Sequence, residues 1–277
     1  MKTAKEQGKD LLWRVTRNKG PLARFFRSLA NQYLFAFDDF SYDFEKNGEL
    51  GLMRMLSKHD FRVVFDVGAN VGDWAKSAST FFPSAQFHCF ELSQKTFVRL
   101  KNNLQSDCYH LNNFGLGSFD GTIEYKDYGD GSGVNTIITN TTFHDETCEG
   151  RMVVSNIRTG AGYCKDKGID KIDFLKIDVE GAENLVLEGF AELLQGQRIR
   201  CIQFEYGFAN GDAHFLMKDF FEFFERFGYI VGKIWQNGVS FSPFSYDLNQ
   251  FNSGPNFVAV AKSDQELISS LQYDPIG

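Results

Sequence analysis

The fold of this chain is decided by the stretch Val63-Val64-Phe65-Asp66-Val67-Gly68-Ala69-Asn70-Val71-Gly72-Asp73. An apolar run with β-branched residues ends at an acid, enters a turn that contains two glycines, and continues into a helix-compatible segment, residues 73–82. A strand, a tight loop and a helix in this order are typical of the first unit of a nucleotide-binding α/β fold. The sequence therefore predicts that the glycine loop contacts a bound ligand.

A second acid closes the next apolar run. Glu91 follows residues 87–90 and lies 19 residues beyond Gly72. An acid at about this distance holds the ribose hydroxyls in folds of this kind. Asp66 and Glu91 together therefore indicate a cofactor that contains adenosine.

The loop favours S-adenosylmethionine over a dinucleotide. A pyrophosphate site uses three glycines, but here Asn70 occupies the middle position and Ala75 the third. Asp66 would repel a phosphate group, whereas it suits a cation. S-adenosylmethionine carries an ammonium, a sulfonium and a ribose diol and has no phosphate. NAD is the weaker alternative, and a strand-turn-helix unit that binds nothing is the third.

The composition sets outer limits on the function. A chain of 277 residues suits one large α/β domain with extensions, or at most two domains. The net charge of −7 argues against a nucleic-acid partner. The five cysteines form no C-x-x-C pair and favour reduced thiols in a cytoplasmic protein. The five histidines have no metal-binding spacing, which argues against structural zinc.

The charge is unevenly distributed along the chain. Residues 1–30 hold eight basic and two acidic residues, a net charge of +6, which leaves −13 for the remainder. The apolar residues of this segment predict two helices packed on the domain. Contact with an anionic membrane surface or an acidic partner is the less favoured alternative. No apolar run is long enough for a secretory signal or a membrane span, so the expected location is cytoplasmic, with peripheral membrane contact left open.

The rest of the chain alternates between strand and helix patterns. Residues 1–60 predict a helical extension, and residues 61–277 predict one domain with a mostly parallel sheet and helices on both faces. Residues 117–160 interrupt the alternation, and we expect a short hairpin or lid near the site there. The predicted strands are 62–67, 86–91, 108–113, 172–178, 199–205, 229–235 and 256–262, and the predicted helices are 73–82, 93–105, 181–194 and 212–227. The phenylalanines of the last helix recur at helical spacing and predict a packing face.

A second acidic segment has the sequence Ile172-Asp173-Phe174-Leu175-Lys176-Ile177-Asp178-Val179-Glu180-Gly181-Ala182-Glu183. An apolar strand runs into Asp178 and Glu180 before a helix begins. Ligands of open α/β sheets bind at the carboxyl ends of the strands, where Asp66, Glu91 and Glu205 are also expected. Such a group of acids repels itself unless a cation lies among its members. The alternative, that the acids only favour a helix N-terminus, explains Glu183 but leaves the pair at the strand end unexplained.

These segments resemble a known family. D-V-G-A-N-V-G at 66–72, F-E-L at 90–92 and L-K-I-D-V-E-G-A-E at 175–183 are similar to motifs of the FkbM family of S-adenosylmethionine-dependent methyltransferases. The resemblance covers about residues 44–262, and K-I-D-V-E-G-A-E is its most specific part. It departs at Leu92-Ser93, where the family usually has proline after the acid. The resemblance implies a class I, Rossmann-like fold with a seven-stranded sheet, and O-methylation of a sugar hydroxyl in a glycan, glycolipid or secondary metabolite.

The resemblance also suggests roles for individual residues. The residues expected to bind the cofactor are Asp66 and the loop residues Gly68, Ala69, Asn70 and Gly72. Glu91 and Leu92 are expected at the ribose, and Asn113 on the adenine side. Because an alcohol has a high pKa, a base must take its proton. Asp178 is the first candidate base, followed by Glu180 and Glu205, while His144 and His214 are weaker candidates. A divalent metal held by Asp178 and Glu205 is the alternative.

Two other functions stay open at the level of sequence. A non-catalytic module could bind the cofactor or a glycan and attach to a glycan-assembly complex through its basic N-terminus. An NAD-dependent oxidoreductase is third, disfavoured by Asn70 and the missing third glycine. Segments 1–43 and 117–160 match the family poorly and are the expected source of acceptor specificity. The sequence does not identify the acceptor or the oligomeric state.

Overall fold

The computed structural model describes residues 3–129, 131–132, 135–138, 150–251 and 254–275. Eleven strands are found in this part of the chain: β1 (Val63–Val67), β2 (Gln86–Phe90), β3 (Tyr109–Asn112), β4 (Gly115–Leu116), β5 (Gly121–Asp127), β6 (Arg151–Arg158), β7 (Ile172–Ile177), β8 (Ile199–Glu205), β9 (Tyr229–Trp235), β10 (Gly238–Phe241) and β11 (Asn256–Ala261). The main sheet has the order β10-β9-β11-β8-β7-β1-β2-β3. β11 is antiparallel to both of its neighbours, whereas β3, β2, β1, β7 and β8 pair in parallel.

Helices connect the strands and cover the sheet. They are α1 (Ala4–Thr16), α2 (Pro21–Phe37), α3 (Glu49–Leu56), α4 (Asp73–Phe81), α5 (Gln94–Asn103), α6 (Gly160–Lys167), α7 (Glu183–Gly189), α8 (Ala191–Gln195), α9 (Phe208–Asp212), α10 (Met217–Arg226) and α11 (Gln265–Leu271), with a 3-10 turn at Tyr246–Asn249. The class I fold with a mostly parallel sheet is confirmed. The sheet has eight strands instead of seven, because β10 adds to its edge as an antiparallel hairpin with β9.

The core lies on both faces of the main sheet. Neighbouring strand residues point to opposite faces, so Val64 and Phe174 belong to one apolar cluster, whereas Phe65 and Leu175 belong to the other. Helices α3, α4 and α11 contribute to the first cluster, and α7 and α10 to the second. The phenylalanine-rich helix α10 buries Phe220, Phe223 and Phe224, which confirms the predicted packing face.

The segment 117–160, for which a hairpin or lid is predicted, contains β5 and β6. β5 and β6 pair in antiparallel fashion, and β4 joins the other side of β6 to give a small second sheet. Tyr125 of β5 is buried. Residues 139–149, which include His144, lie outside the described residues.

The N-terminal helices differ in how they pack. In α3, Leu52, Met53 and Leu56 are fully buried in the core. In contrast, α1 has no buried residue and α2 buries only Ala23. The favoured expectation that the first two helices pack on the domain by their apolar faces is therefore wrong. The division of the chain at residue 60 stays a prediction. Among the helices that the structure describes, none has the length and apolar character that a membrane crossing requires.

Candidate active site

A cavity of about 560 Å³ lies at the carboxyl ends of four neighbouring strands. Its lining includes residues at or just beyond the ends of these strands: Gly68 after β1, Glu91 after β2, Asp178 after β7 and Glu205 at the end of β8. This edge is where open α/β sheets bind ligands. The structure brings three of the predicted acids, Glu91, Asp178 and Glu205, together in the lining of this cavity.

The glycine loop is held tightly between β2 and β7. The Gly68 and Ala69 amides donate to the Phe90 carbonyl at 3.1 and 2.9 Å. Gly68 has φ +83°, and a Cβ at this position would lie 1.8 Å from the carbonyl oxygen of Asp178. Only glycine combines this backbone conformation with such a close approach. Gly72, at φ +92°, precedes α4 and faces Leu100 instead of lining the cavity.

Glu91 is positioned by the backbone on both sides. One carboxylate oxygen accepts the Asn70 amide at 2.9 Å, and the other accepts the Ser93 amide at 2.7 Å. Each oxygen retains a second lone pair that can accept a ligand hydroxyl. Burial raises the pKa of Glu91 to about 7, although these two amides oppose the shift. Leu92 follows Glu91 and also lines the cavity.

Lys176 is the cation among the acids. It lies opposite Asp66 in the β1–β7 pairing, and its Nζ is 3.5 Å from Asp66 Oδ1 and 3.0 Å from Asp178 Oδ2. Asp66 is fully buried, and burial raises its pKa to about 6. Asp66 does not line the cavity. The cation near its carboxylate is the Lys176 ammonium of the same chain. The predicted direct contact of Asp66 with the cofactor has no support from this position.

Three carboxylates cluster beside this lysine. Asp178, Glu180 and Glu205 each offer an oxygen within 4.8 Å of the other two. Burial opposes ionisation of Asp178, but the Lys176 ammonium and a hydrogen bond from Glu205 hold its pKa below the usual value. Burial and the charge of Asp178 raise the pKa values of Glu180 and Glu205 well above their usual range. Asp178 is therefore the member of the cluster that ionises most readily.

The acidic segment after β7 is fixed by Glu183 and by Thr136 of the insertion. Glu183 is buried and accepts the Val179 and Gly181 amides, each at 3.2 Å, and the Asn210 side-chain amide at 2.7 Å. Glu180 has φ +55°, and its carbonyl accepts the Thr136 hydroxyl at 2.7 Å. The insertion therefore reaches the cavity, and it also lines it through Ser132, Asn135 and Ile137.

Two residues that the sequence predicted for the site, Asn113 and His214, are not among the described residues that line the cavity. The Asn113 side-chain amide donates to the Glu91 carbonyl at 3.0 Å, and Asn113 is not among the described residues that line the cavity. Its expected contact with adenine therefore has no support from this geometry. His214 is exposed and also does not line the cavity.

Other cavity residues were not predicted from sequence. Glu49 of α3 accepts hydrogen bonds from Trp74 at 3.0 Å and Gln203 at 2.8 Å. Tyr42 lines the cavity from the segment that follows α2. Lys176 had a visible signal, a single lysine in an apolar strand between acids. Glu49 and Tyr42 had no such signal in the sequence, because the residues that they contact lie far away along the chain.

The cavity fits S-adenosylmethionine. Glu91 has free lone pairs for a ribose diol, and the backbone at Gly68 and Ala69 lines the same cavity. The Asn70 side-chain oxygen is buried, lines the cavity and has no partner among the described residues, so it can accept a hydrogen bond from an ammonium group. The order of the sheet, the antiparallel β11 and a glycine loop opposite Glu91 define the class of S-adenosylmethionine-dependent methyltransferases with the class I fold.

Within this class, the chain belongs to the family described as Methyltransferase FkbM domain, which matches residues 66–231. It is 29% identical over 177 residues to a hexuronic acid methyltransferase, AglP, of Haloferax volcanii, covering 62% of this chain and 69% of that protein. It is 26% identical over 166 residues to a 2-O-methyltransferase, NoeI, of Sinorhizobium fredii, covering 56% and 67%. A methyltransferase FkbM structure from Methylobacillus flagellatus aligns with 86% of this chain and 60% of its own, with 13% identity and a TM-score of 0.46.

Proposed function

We propose that the protein transfers a methyl group from S-adenosylmethionine to a hydroxyl of a sugar. The observation that carries this proposal is the cluster of Asp178, Glu180 and Glu205 beside the glycine loop in one cavity. Transfer to oxygen needs a group that accepts the proton of the alcohol. The family membership supports methyl transfer. The hexuronic acid methyltransferase supports a sugar acceptor, and the 2-O-methyltransferase supports transfer to an oxygen.

The chain positions the reactants, because the cofactor supplies an already activated sulfonium methyl group. Glu91 accepts the ribose hydroxyls, while the backbone at Gly68 and Ala69 and the Asn70 side chain hold the methionine end. The protein then holds the acceptor oxygen in line with the methyl group and excludes water. Tyr42 and the insertion residues Asn135 and Ile137 line the same cavity, which supports the prediction that these two segments select the acceptor.

Asp178 is our candidate base. It is the carboxylate of the cluster whose pKa is lowered, so it is ionised at neutral pH and can accept the proton as the new bond forms. Lys176 keeps it in that state. Burial and the charge of Asp178 raise the pKa values of Glu180 and Glu205 and so favour their protonated forms, which can donate hydrogen bonds to other oxygens of the acceptor.

A divalent cation on the same oxygens is the competing mechanism. Three carboxylate oxygens are ligands that hard divalent cations prefer, and a bound cation would lower the pKa of the acceptor hydroxyl. Because Glu180 and Glu205 must lose protons to bind it, we expect Mn²⁺ or Mg²⁺ affinity to rise with pH, as measured by calorimetry. Full activity after dialysis against a chelator would contradict a role for metal.

The decisive experiment combines ligand titration with an acceptor screen. We expect calorimetry to detect binding of S-adenosylmethionine but not of NADH, because Asn70 and Ala75 stand where a pyrophosphate site has glycines. Incubation with uronic-acid and neutral-sugar glycosides should release S-adenosylhomocysteine and form a methyl ether, identified by mass spectrometry. Absence of S-adenosylmethionine binding would contradict the proposal. Binding without release of S-adenosylhomocysteine from any acceptor would favour the non-catalytic module.

A further inference from the structure

The first two helices expose an unusual number of large apolar side chains. Trp13 is 78% exposed and Phe25 is 62% exposed. We call this surface the N-terminal apolar face, and it consists of Leu11, Leu12, Trp13, Val15, Leu22, Phe25, Phe26, Leu29, Tyr33, Leu34 and Phe37. Soluble domains rarely leave a contiguous apolar surface of this kind uncovered, and such patches mark interaction sites.

Helix α2 concentrates its apolar residues on one side. Leu22, Phe25, Leu29 and Tyr33 follow the i, i+3, i+4 spacing of a single helix face, and each is more than half exposed. Arg24 and Arg27 fall outside this row. The helix is therefore amphipathic, but its apolar face does not pack on the described part of the protein.

The charge identifies the partner. Residues 1–30 have a net charge of +6, so a twofold dimer through this face would bring two such segments together against their mutual repulsion. An anionic lipid surface instead attracts the basic side chains and accepts the aromatic and aliphatic ones at the level of the headgroups. We propose that α1 and α2 bind the surface of an anionic lipid bilayer.

The connection from these helices to the cavity is short and anchored. Directly after α2, Asp38 pairs with Lys233 of β9 at 3.2 Å, and Asp39 accepts the Gln236 amide at 3.0 Å. Tyr42, which follows them, lines the cavity. A bilayer bound to α1 and α2 therefore keeps the cavity near its surface, which suits an acceptor sugar carried on a lipid. This consequence rests on the proposed function, whereas binding to the bilayer does not.

Vesicle sedimentation of the full chain tests the inference. We expect the protein to bind vesicles that contain phosphatidylcholine and phosphatidylglycerol. Its affinity for vesicles of phosphatidylcholine alone should be lower by about tenfold or more, and added salt should abolish binding to the anionic vesicles. The exposed pairs Phe25→Ser/Leu29→Ser and Arg24→Glu/Arg27→Glu should each weaken binding about tenfold or more. The matched controls Phe119→Ser and Lys101→Glu change exposed residues of the same types elsewhere and should not weaken it.

The outcomes separate the inference from the proposed function. Failure of the wild type to bind anionic vesicles, or equal losses in the controls, would overturn the inference. The inference would also be overturned if the protein did not bind vesicles and light scattering showed a dimer that the Phe25→Ser/Leu29→Ser variant no longer forms. S-adenosylmethionine titration of every variant should match the wild type, which shows that the fold is intact. If neither the wild type nor any variant bound S-adenosylmethionine while the wild type still bound anionic vesicles, only the proposed function would fail.

Discussion

At the scale of single residues, Glu91 carries a charge that depends on pH near neutrality. Burial raises its pKa to about 7, so a large fraction of the free protein has a neutral carboxyl there. Ribose hydroxyls that donate to this group favour its ionised form. The cofactor therefore competes with a proton for Glu91.

From this competition we predict that S-adenosylmethionine affinity rises with pH up to about 7 and is then constant. Below that value the affinity should change by about tenfold per pH unit, because each bound cofactor displaces one proton. Calorimetry in buffers with different ionisation enthalpies measures both the affinity and the released proton. Glu91→Gln should bind more weakly, with no such pH dependence, and a slope that persisted in this variant would assign it to another group.

Asp178 is tested by removing its charge with little change in shape. We predict that Asp178→Asn lowers methyl transfer by about 100-fold or more at saturating acceptor, the usual contribution of a general base. S-adenosylmethionine binding should remain measurable, because Glu91 and the loop are unchanged. Glu225→Gln, an exposed carboxylate of α10, is the matched control. Unchanged turnover in Asp178→Asn would remove this residue from the chemistry.

The sequence predicted the acids but not the cation among them. Asp178 and Glu205 end neighbouring strands, so their convergence follows from parallel pairing alone. The position of Lys176 between Asp66 and Asp178 depends on strand register, because it is the β1–β7 alignment that places it opposite Asp66. Register is set by packing across the whole sheet, which a local pattern does not contain. The same limit explains why the contact of Asp66 with Lys176 was not predicted.

At the scale of elements, the predicted strands agree best with the structure. The segments 199–205 and 229–235 match β8 and β9 at both ends, because both strands are buried along most of their length and are therefore largely apolar runs. The helix predicted at 181–194 is divided into α7 and α8 at Phe190. The short strand β10 was missed, since it has only four residues and no apolar run of its own.

The β1–α4 loop gives a prediction at this scale. We expect Gly68→Ala to lower the free energy of unfolding by more than the roughly 1 kcal/mol that a positive φ costs a non-glycine residue, because the added Cβ meets the Asp178 carbonyl at 1.8 Å. Thermal unfolding without ligand measures the loss, and cofactor binding should also weaken as the loop moves.

Gly168→Ala is the matched control for this variant. Gly168 ends α6 at φ +66°, but nothing lies within 4 Å of an added Cβ. It should therefore show the cost of the backbone conformation alone. Equal losses in the two variants would contradict a steric reason for glycine at position 68.

At the scale of the whole molecule, the N-terminal region has two unlike parts. The first two helices expose their apolar side chains, whereas α3 packs into the core next to α4 and β9. Sequence patterns gave the same description to both parts, because amphipathic helices for a protein core and for an external surface have the same periodicity. The burial of Leu52, Met53 and Leu56 and the contacts around Glu49 distinguish α3 as part of the domain.

Glu49 joins parts of the chain that are distant in sequence. Its buried carboxylate accepts hydrogen bonds from Asn47, Trp74, Gln203 and Asn256 at 2.6–3.2 Å, which connects α3 to α4, β8 and β11. If the carboxylate is removed, these donors stay buried without their acceptor, and each buried unpaired group costs about 1–3 kcal/mol.

We therefore predict that Glu49→Ala lowers the free energy of unfolding by about 3 kcal/mol or more, as measured by urea denaturation. Glu45→Ala, an exposed acid four residues earlier, should change it by less than about 0.5 kcal/mol. Glu49 also lines the cavity, so cofactor should restore part of the lost stability by binding only the folded state. If Glu49→Ala were as stable as Glu45→Ala, α3 would not be held to the sheet by this network, and its apolar contacts alone would join the N-terminal region to the catalytic domain.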